Sequence, residues 1–382
     1  MRPQALTGAR VFTGADFLDD HAVVLSAGRI ECVCPVNEVD SEIPRIPLTG
    51  GVLAPGFVDL QVNGGGGVLF NNAPTVGSLE LLLAAHRRGG TTALLPTLIS
   101  DSPATQQQAL NAVRGAIEQG LDGVLGVHFE GPFLDEMRRG AHRENYVRAM
   151  TDEDVDWLDS AAANCRVMLT VAPEHTAPGQ IRVLSDAGII VCGGHSGASY
   201  QQTMNAISEG MRGFTHLFNA MSPLGSREPG VVGAALSDSD SWCGIIIDGY
   251  HVHPATVLVA LRAKPRGKLY LVTDSMATAG SSSKSFELYG ETIHESNGRL
   301  VNDEGRLAGS AILMVDAVRT MHQSIGVALD ECLRMASLYP SQFIGESQRR
   351  GRIASGFRAD LVHLSESFEV TNTWVGGERQ AH

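Results

Sequence analysis

Lysine is almost missing from this chain: Lys264, Lys268 and Lys284 are the only three in 382 residues. A P-loop is thereby excluded, because its lysine must close a glycine-rich turn, and so is lysine-dependent chemistry anywhere before position 264. Positive charge is short as a whole. The formal net charge of −13 argues against nucleic acid or an anionic membrane surface as a partner, since both need clustered cations. No apolar run approaches the ~20 residues that span a bilayer. The six cysteines form no Cys-x-x-Cys pair and mostly lie inside apolar runs, which fits reduced structural thiols. The N-terminal stretch lacks the apolar segment and small-residue cleavage site of a secretory signal, so a cytoplasmic protein is expected.

What is present is apolar. Hydrophobic residues make up 43% of the chain and charged residues only 19%, enough to build a large core and too apolar for disorder. Residues 1–51 read as short strands, with Ala27-Gly28 as a hairpin turn. From Leu53 onward, strand-like runs alternate with helical patterns such as 76–88, 104–119 and 199–210, the signature of βαβ units. Eight runs qualify as strands, at 56–63, 92–97, 124–130, 166–172, 188–195, 213–219, 242–248 and 268–274.

Eight such units predict a (β/α)8 TIM-like barrel. A doubly wound open sheet is the competitor, but no G-x-G-x-x-G follows the first strand, and Asn63-Gly-Gly-Gly-Gly67 reads better as a tight βα loop. The polar stretch 279–285 reads as a loop or lid. Helices are expected at 310–324 and 329–339, with Pro340 ending the second. Strands return at 356–363 and 374–379. Both chain ends are therefore β, and a small β-sandwich domain of 1–51 with 348–382 is expected beside a barrel domain of 52–347.

In such a barrel the C-terminal strand ends converge on one mouth. Gly188-Ile-Ile-Val-Cys-Gly-Gly-His-Ser196 and Gly213-Phe-Thr-His-Leu-Phe-Asn-Ala-Met221 each end an apolar run in a histidine. The other strand ends offer Gln61, Asn63, His128, Glu130, Glu174, Asp248 with His251, and Asp274. Glu130, His195 and His216 together form a donor set suited to a catalytic divalent ion with an open position. Each residue also has an ordinary reading: the histidines as satisfied strand-end side chains, Glu130 or Asp274 as a helix cap, His128 as a neighbour behind a ligand.

The ordered set Phe57-Val-Asp-Leu-Gln-Val-Asn-Gly64, His128-Phe-Glu-Gly-Pro132, Gly140-Ala-His142, Gly194-His-Ser196, Thr215-His-Leu-Phe-Asn-Ala-Met221, Arg227-Glu-Pro-Gly230, Asp248-Gly-Tyr-His251, Val272-Thr-Asp274 and Leu307-Ala-Gly-Ser310 resembles the N-acetylglucosamine-6-phosphate deacetylases of the amidohydrolase superfamily, over essentially the whole chain. The resemblance implies hydrolysis of the acetamide of N-acetylglucosamine 6-phosphate, in amino-sugar catabolism and cell-wall recycling. It implies that Glu130, His195 and His216 hold the metal, and that Asp274 is the general acid and base with His142 stabilising the oxyanion. It further implies substrate contacts from Ala141, His142, Asn219, Ala220, Arg227, His251, Leu307, Ala308 and Gly309. Arg227 and His251 would reach the phosphate in a neighbouring active site, which implies a homodimer.

Two departures from the wider superfamily bear on the metal. The His-x-His expected on the first strand is Gln61-Val-Asn63, and the fourth strand has no lysine to carbamoylate. One divalent ion per subunit is therefore expected, Zn first, with Fe, Mn or Co as alternatives. Gln61 and Asn63 are then expected to be hydrogen-bonding neighbours of a metal-held water. Main-chain N–H groups at Asn219 and Ala220 would add anion contacts if they open a helix. Another amidohydrolase activity, such as a dihydroorotase-like one, and a non-catalytic sugar-phosphate sensor are the rival readings.

Overall fold

The computed structural model describes residues 2–382 apart from 297, 303, 304 and 306. Its centre is a parallel sheet of eight strands in sequence order: β1 (Phe57–Val62), β2 (Thr91–Ile99), β3 (Val127–Glu130), β4 (Val167–Val171), β5 (Ile190–Gly193), β6 (Gly213–Phe214), β7 (Trp242–Ile246) and β8 (Leu269–Val272). Every residue of β1 and β2 is buried, as expected of parallel strands covered on both faces. The sheet closes on itself where Asp274 N donates to Gln61 O and Asn63 N donates to Ser275 O, both at 2.9 Å.

Helices follow β1 to β7, and their starts are written locally. Thr75 and Ser102 cap Val76–Arg87 and Pro103–Glu118, while Thr151 and Ser199 form capping boxes. No helix among the described residues is long and apolar enough to cross a membrane.

The chain ends meet as expected. Leu361–Leu364 pairs antiparallel with Val52–Pro55, in a six-stranded sheet that also holds Arg10–Phe12 and Val370–Val375. This sheet and a four-stranded one, containing Gln4–Thr7 and His21–Ser26, enclose a second core of Leu6, Val23, Leu25, Leu53, Leu361 and Trp374. Val52–Pro55 is thus the strand through which the chain passes from the terminal sandwich into the barrel.

Several boundaries differ from expectation, each for a backbone reason. The run 374–379 is a hairpin corner, because Gly376 and Gly377 take φ of +54° and +81°. The strand expected at 356–363 begins only at Leu361. Pro340 does not end a helix: Leu329–Ala336 stops at Ser337, and Pro340 lies in the first turn of Leu338–Phe343, where a missing N–H costs nothing. Helix 310–324 shrinks to Met314–Arg319 followed by a π-helical turn, Thr320–Ser324. The loop 279–285 leads into an unforeseen three-stranded hairpin sheet, Ser285–Leu288, Glu291–Ser296 and Arg299–Val301. This sheet seats Leu288, Ile293 and Leu300 on Leu69, Ile99 and Met276 at the barrel mouth.

Candidate metal centre and cavity

Strands β5, β6 and β8 are shorter than their apolar runs because the next functional residue turns the backbone. His195, His216 and Asp274 all take positive φ, at 48°, 33° and 51°. Non-glycine residues pay for that conformation and hold it where tertiary structure over-determines it. The turn after His195 is held by Glu174, whose carboxylate accepts from Ser196 Oγ at 2.7 Å and Gly197 N at 2.6 Å.

The three expected ligands converge. Glu130 Oε1 lies 3.1 Å from His195 Nε2 and 2.9 Å from His216 Nε2, and the two Nε2 atoms stand 3.0 Å apart. One donor atom from each of the three lies within 4.8 Å of the others, and all three residues are buried. The donor chemistry asks for a cation. His195 Nδ1 lies 2.8 Å from the carbonyl of Arg138, which can only accept, so Nδ1 carries the proton and neutral His195 turns a bare Nε2 lone pair toward a carboxylate oxygen.

Either a proton or a metal ion must stand among these groups. Burial would raise Glu130, but the two histidines outweigh it and hold its carboxyl well below the usual range. Burial would lower His216, but Glu130 raises it. A divalent ion on the same three donor atoms would satisfy all of them at once.

Gln61 and Asn63 do more local work than expected: they bind carboxylates. Gln61 Nε2 lies 3.1 Å from both Glu130 Oε2 and Asp274 Oδ1, and Asn63 Nδ2 lies 2.7 Å from Asp274 Oδ1. Asp274 stands partly buried at the cavity wall. Burial first, and the charge of Glu130 second, push it up to about 6.

Across the cavity, His142 Nδ1 receives the N–H of Ser100 at 3.2 Å and lies 2.8 Å from its hydroxyl. A backbone N–H can only donate, so the proton of neutral His142 sits on Nε2. Burial, then the nearby His195, holds this imidazole well below its ordinary pKa, so it stays a neutral N–H donor. Gly140 lets the loop approach: its φ is +58°, and a Cβ there would stand 3.3 Å from His195 Cε1.

The cavity bounded by these groups measures about 190 Å³. Asn63, Ala141, Asn219, Ala220, Leu307 and Gly309 complete much of its wall. Ala308 faces the hairpin core instead.

His251 lines this same cavity, with Nδ1 held 2.6 Å from Asp248 Oδ2. His251 is therefore placed beside the donors of its own chain. Arg227, like Ala308, is outside the cavity lining, and it lies exposed in the segment that precedes Gly230–Ser237. Asn219 and Ala220 open no helix: Asn219 N donates to His216 O at 3.0 Å, which withdraws that N–H from anion binding. His128 is a satisfied interior histidine between Thr97 and Thr170.

Three residues escaped the sequence reading. Ser100 follows β2, whose predicted end at residue 97 stopped short of it. Asp59 is a carboxylate with no exposed surface in mid-strand, accepting from Thr273 Oγ1 at 2.5 Å, and burial pushes it up to about 7. Its signal was an acid inside an apolar run. Tyr289 sits on the unforeseen hairpin.

The chain is similar to known proteins over nearly its whole length. Residues 52–379 match the model of the amidohydrolase family, and residues 4–53 match the NagA composite domain. The chain is 40% identical to an N-acetylgalactosamine-6-phosphate deacetylase of Shewanella sp. (strain ANA-3), over 97% of this chain and 94% of that one. It is 37% identical to an N-acetylglucosamine-6-phosphate deacetylase of Haemophilus influenzae, over 98% of each. The crystal structure of N-acetylglucosamine-6-phosphate deacetylase from Pasteurella multocida superposes with a TM-score of 0.96 at 38% identity, covering 100% of both chains.

Proposed function

The chain belongs to the amidohydrolase family, and from that premise we propose that it hydrolyses the acetamide of N-acetylglucosamine 6-phosphate to glucosamine 6-phosphate and acetate. The observation that carries this reading is the bare Nε2 of His195 facing Glu130 beside His216. Glu130, His195 and His216 would hold a divalent ion, Zn²⁺ in the first instance, which when bound would supply Lewis acidity at the water and the amide carbonyl. One ion per chain is supported because Gln61 and Asn63 are spent on Glu130 and Asp274, and β4 offers no lysine.

Asp274 accepts the water's proton on Oδ2, the oxygen that Gln61 and Asn63 leave free. The Nε2–H of His142 donates to the carbonyl oxygen as negative charge gathers there. The deprotonated water oxygen bonds to the carbonyl carbon, and Asp274 then returns the proton to the nitrogen as the C–N bond breaks, releasing acetate and a neutral amine. A dianionic substrate meets a chain of net charge −13, so local hydrogen-bond donors and cations must hold it. His251 in the cavity and exposed Arg227, reaching in from the second subunit of a homodimer, suit the phosphate. Six free thiols support a reducing, cytoplasmic setting.

N-acetylgalactosamine 6-phosphate is the second reading for the substrate, favoured by the Shewanella relative. Zn²⁺-loaded protein is expected to release acetate from at least one of the two sugar phosphates. In the same assay Arg227→Ala should raise KM about tenfold or more while kcat holds, as for loss of a charge-assisted contact. Metal-loaded protein that leaves both substrates intact refutes the proposal.

A further inference from the structure

The hairpin over the barrel mouth turns through Tyr289 and Gly290, at φ of +54° and +84°. Both central positions of such a turn favour Gly, Asn or Asp. A tyrosine in the first of them is strained, and strain of this kind persists where the surroundings impose it.

Here the imposition is visible. The Tyr289 hydroxyl donates to the carbonyl of Ser100, the residue whose N–H and hydroxyl meet His142 Nδ1. The Tyr289 ring also lies 6.0 Å from Tyr146, in the segment that carries His142. A second tie fixes the same hairpin, where Asn72 Nδ2 donates to Glu287 O at 2.7 Å.

We infer that Tyr289 is a positioning residue for the reaction: by anchoring Ser100 it keeps His142 in the Nε2–H tautomer and aims that proton into the cavity. The chain of contacts runs from a strained turn, through one carbonyl and one N–H, to a histidine that lines the same cavity as Asp274. The hairpin therefore belongs to the assembly of the reacting centre and does more than shelter it. This inference rests on the deacetylase reading for the role of His142, but its geometry can be tested without substrate.

Tyr289→Phe keeps the ring and removes only the hydroxyl. In the Zn²⁺-loaded full chain, kcat is expected to fall about three- to tenfold, the worth of one hydrogen bond, with KM nearly unchanged. On a His142→Ala background the same exchange should cost nothing further. The ¹⁵N resonances of His142, identified by their loss in His142→Ala, should show a pure Nε2–H tautomer in the wild type and a mixture in Tyr289→Phe. Unchanged resonances and kcat, or equal losses on both backgrounds, overturn the inference. A wild type that releases no acetate refutes the deacetylase reading alone, because the histidine resonances still decide the role of Tyr289.

Discussion

Replacing Asp274 by asparagine isolates its proton-carrying role, because the structure leaves room for an isosteric amide. Oδ1 of Asp274 accepts from Asn63 Nδ2 at 2.7 Å and Gln61 Nε2 at 3.1 Å. An asparagine keeps that acceptor and turns its NH2 to the cavity, so the fold and the neighbouring Glu130 are left as they are. What disappears is an atom able to take a proton from water and return it to nitrogen. General acid–base catalysis is worth about 10²–10⁴ in rate, and kcat is expected to fall by that factor while metal content and sugar-phosphate affinity hold. The pH profile gives a second reading. In metal-free protein, burial and the Glu130 charge place Asp274 at about 6. The working base is the ionised form, so kcat/KM falls as pH drops through this pKa. A divalent cation beside Glu130 draws it lower, so the acid limb of the loaded enzyme should lie below 6 and vanish in Asp274→Asn. Steady-state kinetics between pH 4 and 8 with metal analysis of each sample make the test. Retention of more than about a tenth of wild-type kcat with metal bound would refute the role.

Asp59 offers a stability test with a definite sign. Its folded pKa of about 7 lies above the ordinary 3.8, so the folded protein holds this proton more tightly than the unfolded one. Its stabilising contribution is present at low pH and is lost as pH rises from about 4 to 7. Relative to wild type, Asp59→Asn should gain about 2–3 kcal/mol in urea unfolding between pH 5 and pH 8, and an equal offset at both pH values would contradict the argument. Stripping the ion with a chelator should abolish turnover and lower Tm, since a ligand at a hundred times its Kd adds about 2.7 kcal/mol. Zn²⁺ should restore both in the wild type but not in Glu130→Gln. A chelated protein with unchanged Tm and turnover would rule out a metal centre on these residues.

The barrel was legible because eight strand-like runs alternating with helical patterns leave little else to build, and Glu130, His195 and His216 were legible because they stand at or near the ends of three of those runs. Departures arose where local signals and tertiary demands conflict. Ser285-Phe-Glu-Leu-Tyr-Gly-Glu-Thr-Ile is polar enough to pass for a loop, and becomes a hairpin only because Leu69, Ile99 and Met276 give Leu288 and Ile293 a surface to cover. Pro340 reads as a stop, yet a break at Ser337 turns it into a helix start.

Sequence alone thus determined the fold class and the donor types at the barrel mouth, because periodicity and residue chemistry are local properties. Only the tertiary structure decided which nitrogen of His142 and His195 bears the proton, that Gln61 links Glu130 to Asp274, that Asp248 holds His251 at the cavity wall, and that Tyr289 reaches Ser100. Each of those depends on a hydrogen bond or packing contact between segments that meet only when the barrel closes.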